Sequence, residues 1–386
     1  MSAYNYQASR RNFIQQFGAG ALLLGGGVFS SAFAQVNSQL EFRLNAKPLW
    51  LHFNENSLGM SPLALQAAQL AAQEKGNRYP FATVKLLRET LAERHGVDPE
   101  QIILGNGSTE VIQAIVTVAA REKATVLEPS PTFGDVRSYS QAEGLEVIQV
   151  PVGKGFITDI SALKKRAEGI SGPLLINICN PNNPSASIVD NNALVEWINN
   201  APAQHMFLLD EAYVDYALSN PAYSSVLPLI KMGRENLIIT RTFSKIYGMA
   251  GMRIGYGIAA PATAKRVRPF AAGFNLSATG IAAAMASLSD QAFYKQSLAS
   301  NQAAKLLLVN TLDELGLEHV PSNTNFVLHR IGSSLKDYTG RMADNGIYVG
   351  RRMTTEDNWN RISIGTPPEM QAFAKTLKAF RQKGWV

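Results

Sequence analysis

The chain has 386 residues, 46% hydrophobic and 17% charged, with 30 Gly and 18 Pro, which excludes a disordered, collagen-like or disulfide-built protein and, at roughly 150 residues per domain, accommodates two domains. A single cysteine, Cys179, excludes an internal disulfide and a cysteine-ligated zinc or iron–sulfur centre, and the five histidines lack close metal-ligand spacing, so no protein-bound metal is expected. The net charge of +6 is modest and no Lys/Arg cluster is interleaved with aromatics, so the scattered positive charge suits an anionic small molecule better than a nucleic acid.

In chain order, residues 1–34 read as an export signal. Ser9, Arg10, Arg11, Asn12, Phe13 and Ile14 precede an apolar, Gly-rich run that ends at Ala32-Phe33-Ala34, a small-x-small cleavage pattern. The segment resembles a twin-arginine leader cleaved near Gln35. It implies a periplasmic protein with no stable membrane association after cleavage, or a cytoplasmic one if the leader is not used. Its apolar run is shorter than the roughly 20 residues that a membrane span needs.

Beyond the leader, short apolar runs at 101–104, 124–127, 145–150, 174–178, 206–209, 236–240 and 254–258 are expected strands, and segments such as 110–120 and 191–199 have helical spacing. This alternation predicts an α/β fold with a mostly parallel sheet. After about residue 280 the pattern turns helical, then adds short strands near 326–329 and 362–364, which predicts a smaller second domain. The expected division is 35–60 as an N-terminal arm contributing to the small domain, 61–279 as the large domain and 280–386 as the small C-terminal domain.

In such sheets ligands sit outside the carboxyl ends of the strands. The first strand end reads Gly105-Asn106-Gly107-Ser108-Thr109-Glu110 and opens a helix, where free amides favour a phosphate; alone, it fits a glycine turn with a helix cap equally well. A dinucleotide fingerprint needs Gly or Ala where Glu110 stands, and the literal match at 255–260 runs into Pro261 among strand-like residues. Asn183 ends a loop after one strand and Asp210 ends the next; singly, they fit a turn residue and a helix cap. Lys245 follows a further strand among small and hydroxylated residues, with Arg253 eight positions on. By itself such a lysine reads as a surface charge, but a partly desolvated one in an electropositive site is neutral enough to form a Schiff base with an aldehyde. A phosphate cup, an amide, an aspartate, a lysine and an arginine along one sheet edge are the groups that pyridoxal phosphate needs.

From about Phe53 to Thr366 the chain resembles the fold type I pyridoxal-phosphate enzymes, and within them the class I/II aminotransferases closest to histidinol-phosphate aminotransferase. The motifs NENSLG, NRYP, GNGSTE, EPSPTF, NPNNP, DEAY, TFSK, GMRIG, TNFVL and RISIGT occur in family order. The resemblance implies a large domain with a mostly parallel seven-stranded sheet flanked by helices, plus a smaller α/β domain. It implies that Lys245 holds the cofactor covalently and later moves the proton at the substrate's Cα. Asp210 would pair with the ring nitrogen, Asn183 and Tyr213 with the ring's 3′ oxygen, and Phe133 would stack on the ring face. Ser108, Thr109, Thr242, Ser244 and Arg253 would surround the phosphate, and Tyr79 would reach the phosphate of the other subunit, which implies a homodimer. Arg361 would fork onto the substrate carboxylate, with Asn325 and Asn56 on the substrate side.

Two departures bear on substrate. Ser57 stands where relatives usually have Pro, and Gly350, followed by Arg351 and Arg352, stands where many have an arginine near a substrate phosphate. The expected activity is therefore transfer of an amino group between an L-amino acid, aromatic or broad in range, and a 2-oxo acid. A racemase, epimerase or decarboxylase on the same scaffold, or a non-enzymatic binding module, are the alternatives. Cys179 reads as a small core residue without a catalytic role.

Overall fold

The computed structural model describes residues 48–386 except 355, so the leader read over 1–34 and the arm up to 47 lie outside the described residues. Strand β1 is Leu49–Leu51. It is followed by β2 Ile102–Asn106, β3 Thr125–Ser130, β4 Val147–Pro151, β5 Leu174–Cys179, β6 His205–Asp210, β7 Leu237–Thr242 and β8 Ile254–Ala259. The C-terminal part adds β9 Phe326–Arg330, β10 Ile347–Val349 and β11 Trp359–Ser363. A seven-stranded sheet has the order β2-β8-β7-β6-β5-β3-β4. Only β8 runs against its neighbours, pairing antiparallel with β2 and β7.

Each expected strand is present, and several extend past their apolar runs. β2 continues through Gly105 and Asn106 because β8 offers Gly255 and Ile254 as partners, and β6 takes in Asp210, flanked by Cys179 and Thr240. A polar residue joins a strand end when neighbouring backbones can satisfy its N–H and C=O.

The near-continuous apolar β5, LLINIC, is buried along its whole length, as expected of a parallel strand covered on both faces. On one face Leu87, Leu91, Ile176, Trp197 and Phe207 form the largest apolar cluster. On the other, Val111, Ile112, Ile115 and Ala119 of the helix Ser108–Arg121 recur at helical spacing and pack with Val126, Leu208 and Ile238. A third cluster joins Leu51 of β1 to Leu308, Val327, Tyr338, Ile362 and Phe373. The antiparallel pair β9–β11 and the parallel pair β1–β10 build on that cluster. Fully burying one such Leu or Phe contributes about 1.5–3 kcal/mol.

Helix ends are defined locally. Asp190 accepts from the amides of Asn192 and Ala193 at the start of Asn191–Asn200, and Thr366 with Glu369 forms a capping box on Pro367–Gln382. Among the described residues no helix is long and apolar enough to cross a membrane. Nor, among them, do three or more His, Cys, Asp or Glu side chains gather as a metal site.

Candidate active site

The ends of β2, β7 and β8 build an anion cup. Gly107, at φ 77°, turns the chain from β2 into the helix that starts at Ser108, so the first helical amides are free of intrahelical partners. Arg253, itself left-handed at φ 56°, reaches back across this turn: its Nη1 donates to the Ala250 carbonyl at 3.0 Å and its Nη2 to that of Asn106 at 3.4 Å. Among the described residues Arg253 forms no ion pair, which leaves a cation held only by carbonyls beside a helix N-terminus. A Cβ on Gly107 would strike this guanidinium, and one on Gly255 would strike the Ser108 amide. These glycines keep the cup open for a ligand rather than filled by side chains. Thr242 donates to Ser244 Oγ at 2.8 Å and accepts from the Ser244 amide at 3.1 Å, which leaves the Ser244 hydroxyl hydrogen to donate elsewhere. Thr109 donates to Asp135 at 3.3 Å.

Next along the sheet edge is Asp210, at the end of β6 and 6% exposed. Burial pushes its carboxyl up to about 6, against the Thr240 hydroxyl that donates to Oδ1 at 3.0 Å. Lys245 follows β7 by three residues; its Nζ donates to the Phe53 carbonyl at 3.4 Å and lies 5.5 Å from the Tyr213 ring centroid. Its amine is pushed down to about 8, chiefly by burial and then by the Arg361 guanidinium, against the pull of Asp210 and Glu55. A lysine so placed has a substantial neutral fraction at mildly alkaline pH, the form that attacks an aldehyde.

Arg361, on β11, is buried among neutral partners. Nη1 donates to Asn183 Oδ1 at 2.7 Å and Nη2 to the His52 carbonyl at 2.6 Å, while the buried Nε has no partner. Asn325 donates to the carbonyls of Asn54 and Glu55, and its buried Oδ1 is likewise unpartnered. Burying a cation without a counter-charge is costly, so this arrangement suits an anionic ligand that completes it.

Most residues selected from sequence thus line one sheet edge. Asn183 and Tyr213 each have a protein partner: Asn183 accepts from Arg361, and the Tyr213 hydroxyl, held firmly protonated by burial, accepts from Asn54 at 2.9 Å. Asn56 spends its amide on the Ile246 carbonyl and Ser297 Oγ and accepts from the Leu58 amide, tying down the 54–59 loop. Phe133 is half-buried in the loop after β3. Tyr79 stands on the surface, 71% exposed, its ring against Phe81 and Phe274. A Cβ on Gly350 would strike the Arg361 carbonyl, so close approach to β11 accounts for glycine there.

Two further buried polar side chains, Asn54 and Thr240, hydrogen-bond to residues of this site. Asn54 is 1% exposed and left-handed at φ 56°, and it connects Tyr213, Ser363 and Asn325; its signal was its place at the head of NENSLG. Thr240 lay inside an apolar strand run with no sequence signal of its own. Beside Arg361 and Lys245 runs an aromatic row: Tyr348 stacks on Trp50 at 4.5 Å, Trp50 meets His52 at 5.5 Å, and His52 meets Phe53 at 3.9 Å. Trp50 and Phe53 are 53% and 59% exposed. Burial lowers the His52 imidazole below its ordinary value, which favours the neutral ring.

The model of the aminotransferase class I and II family matches residues 46–377. This chain belongs to that family. The aminotransferase is 33% identical over 326 residues to the histidinol-phosphate aminotransferase of Moorella thermoacetica, covering 84% of this chain and 83% of that one. A solved structure of a putative histidinol-phosphate aminotransferase from Erwinia carotovora atroseptica superposes with TM-score 0.86 at 40% identity, over 88% of this chain and 97% of that one. The histidinol-phosphate aminotransferase of Sinorhizobium meliloti, solved in complex with pyridoxal-5′-phosphate, gives TM-score 0.81 at 26% identity over 99% and 98%. The protein is a pyridoxal-phosphate-dependent transaminase of fold type I. Its donor set fits the cofactor: an open glycine cup for a phosphate, with a guanidinium that has no ion-pair partner among the described residues, and a partly neutral lysine for an aldehyde.

Proposed function

We propose that the aminotransferase moves amino groups between L-amino acids with aromatic or broad-range side chains and 2-oxo acids, with Arg361 taking the substrate carboxylate and Lys245 moving the Cα proton. Pyridoxal phosphate supplies an aldehyde and an electron-withdrawing ring. In this reading Ser108, Thr109, Thr242, Ser244 and Arg253 hold its phosphate. Asp210 holds the ring nitrogen, Asn183 and Tyr213 the 3′ oxygen, and Phe133 covers the ring.

The observation that carries the substrate assignment is the buried Arg361 with its unpartnered Nε next to Lys245. A planar guanidinium binds a planar carboxylate through two parallel hydrogen bonds, and the Lys245 amine, close enough to feel the Arg361 charge, is the group on hand for the Cα hydrogen. The aromatic row from Tyr348 to Phe53 supports planar side chains, since ring contacts contribute about 0.5–1.5 kcal/mol beyond their area.

The test adds single L-amino acids to the loaded protein without an acceptor. A lasting loss of its yellow absorption is expected, fastest with aromatic donors. Phe53→Ala is expected to raise KM for those donors about fivefold and leave that for alanine unchanged. Absorption that shifts but never declines would make the enzyme a racemase or decarboxylase.

A homodimer is part of the proposal, with Tyr79 reaching the neighbouring site. The exposed rings of Tyr79, Phe81 and Phe274 support it, because monomers rarely leave such a cluster in water. Export to the periplasm rests on Arg10, Arg11 and Ala32-Phe33-Ala34. Recovery of a dimer beginning near Gln35 from the periplasm is the expected result, and an unprocessed chain confined to the cytoplasm removes it.

A further inference from the structure

Asp210 sits between two lateral neighbours. The parallel ladders pair it with Cys179 on β5 and with Thr240 on β7, and laterally paired residues of parallel strands project to the same face. The Thr240 hydroxyl donates to Oδ1 at 3.0 Å and is itself fully buried. On the other flank the Cys179 thiol lies 3.9 Å from Oδ2 but only 3.3 Å from the Pro181 carbonyl. The thiol has one hydrogen and the Pro181 carbonyl is the nearer of its two acceptors, so Oδ2 lacks a side-chain donor as close as the hydroxyl on Oδ1. The two carboxyl oxygens are thereby made unequal.

We propose that Thr240 is the positioning residue of this aspartate: its hydroxyl holds Oδ1, keeps the carboxyl ionised in a buried setting, and leaves Oδ2 for the cofactor's ring nitrogen. The inference rests on the reading that Asp210 serves that nitrogen. A carboxylate must be an anion to keep a ring nitrogen protonated, and burial works against the anion. The groups facing the carboxyl are the Thr240 hydroxyl, the Ala212 backbone and the Cys179 thiol in contact, with Lys245 and Asp135 acting through space. The hydroxyl, the Ala212 backbone amide and Lys245 favour the anion, while burial and Asp135 oppose it. Lys245 would no longer carry a free ammonium once it held the cofactor, which leaves the hydroxyl and the Ala212 amide, and of these two the hydroxyl is the stronger influence on the carboxyl and the one a side-chain substitution removes.

The experiment measures pyridoxal-phosphate affinity of the apo protein and, separately, the Asp210 titration by carbon-13 NMR with no cofactor present. Valine replaces the hydroxyl with a methyl of similar size. Thr240→Val is expected to weaken cofactor binding about tenfold, the scale of one hydrogen bond to a charged group, and to raise the Asp210 midpoint. Thr240→Ser is expected to restore both. Valine and serine variants that are equally impaired would assign the effect to packing and overturn the proposal, and so would a valine variant with unchanged affinity and unchanged titration. Should Thr240→Val not fold, Thr240→Ser against Thr240→Ala makes the same comparison. Asp210→Asn separates the two claims. If it binds the cofactor normally, the reading of Asp210 itself fails; if it binds weakly while Thr240→Val binds normally, only the role of Thr240 fails.

Discussion

Lys245→Ala is expected to lower transamination by about four orders of magnitude, the upper range for one positioned acid–base group, and to leave the cofactor bound non-covalently. On the proposed reading the variant loses both the attacking amine and the carrier of the Cα proton, and the groups named around it offer no replacement. Asp210 and Tyr213 are buried with their own hydrogen bonds, and Arg361 and Arg253 do not give up protons at neutral pH. Mass spectrometry after borohydride reduction checks the covalent link, and single-turnover absorption with an L-amino acid checks the chemistry. Activity within tenfold of the parent would remove Lys245 from the mechanism.

Replacement of Arg361 has two separable consequences. Arg361→Leu is expected to lower kcat/KM for amino donors by roughly two to three orders of magnitude, the range seen when one partner of a buried charge pair is removed. Arg361→Lys is expected to fall almost as far, because an ammonium cannot fork onto a carboxylate. The variants part company at Lys245. The Arg361 charge is the second largest cause, after burial, of the lysine's depression to about 8. Removing that charge moves the midpoint upward, so a larger fraction of the amine is protonated at pH 7.5. Capture of pyridoxal phosphate by the apo protein is therefore expected to be slower in Arg361→Leu, with its pH profile shifted to higher pH. In Arg361→Lys the charge remains and the capture profile should match the parent. Equal capture profiles in all three proteins would show that Arg361 does not act on the lysine, whatever its effect on substrate.

The residues proposed to carry the chemistry stand in short local patterns: Asp210 ends β6, Lys245 follows β7 by three residues and Arg361 lies within β11. Asp210 after MFLLD, Lys245 in TFSK and Arg361 in RISIGT needed no long-range information. Their partners were not legible. Arg361 meets Asn183 across 178 positions and the His52 carbonyl across 309, and Tyr213 meets Asn54 across 159. No sequence periodicity encodes such distances, so an asparagine expected to face only a cofactor is also the partner of an arginine. Strand ends were misjudged for the same reason. Gly105, Asn106 and Thr242 lack apolar character and join strands only because β8 pairs with them.

The sequence by itself determined the α/β class, the succession of strands and helices, and the order in which a phosphate cup, an amide, an acid, an amine and a guanidinium follow one another. Those are local properties of hydrophobic period and turn chemistry. Tertiary structure alone decided the strand order, and with it that Thr240 and Cys179 flank Asp210 and that Arg361 lies near Lys245. Protonation followed from that placement: burial and neighbouring charge set the amine near 8 and the carboxyl near 6, and both depend on what surrounds a group in space.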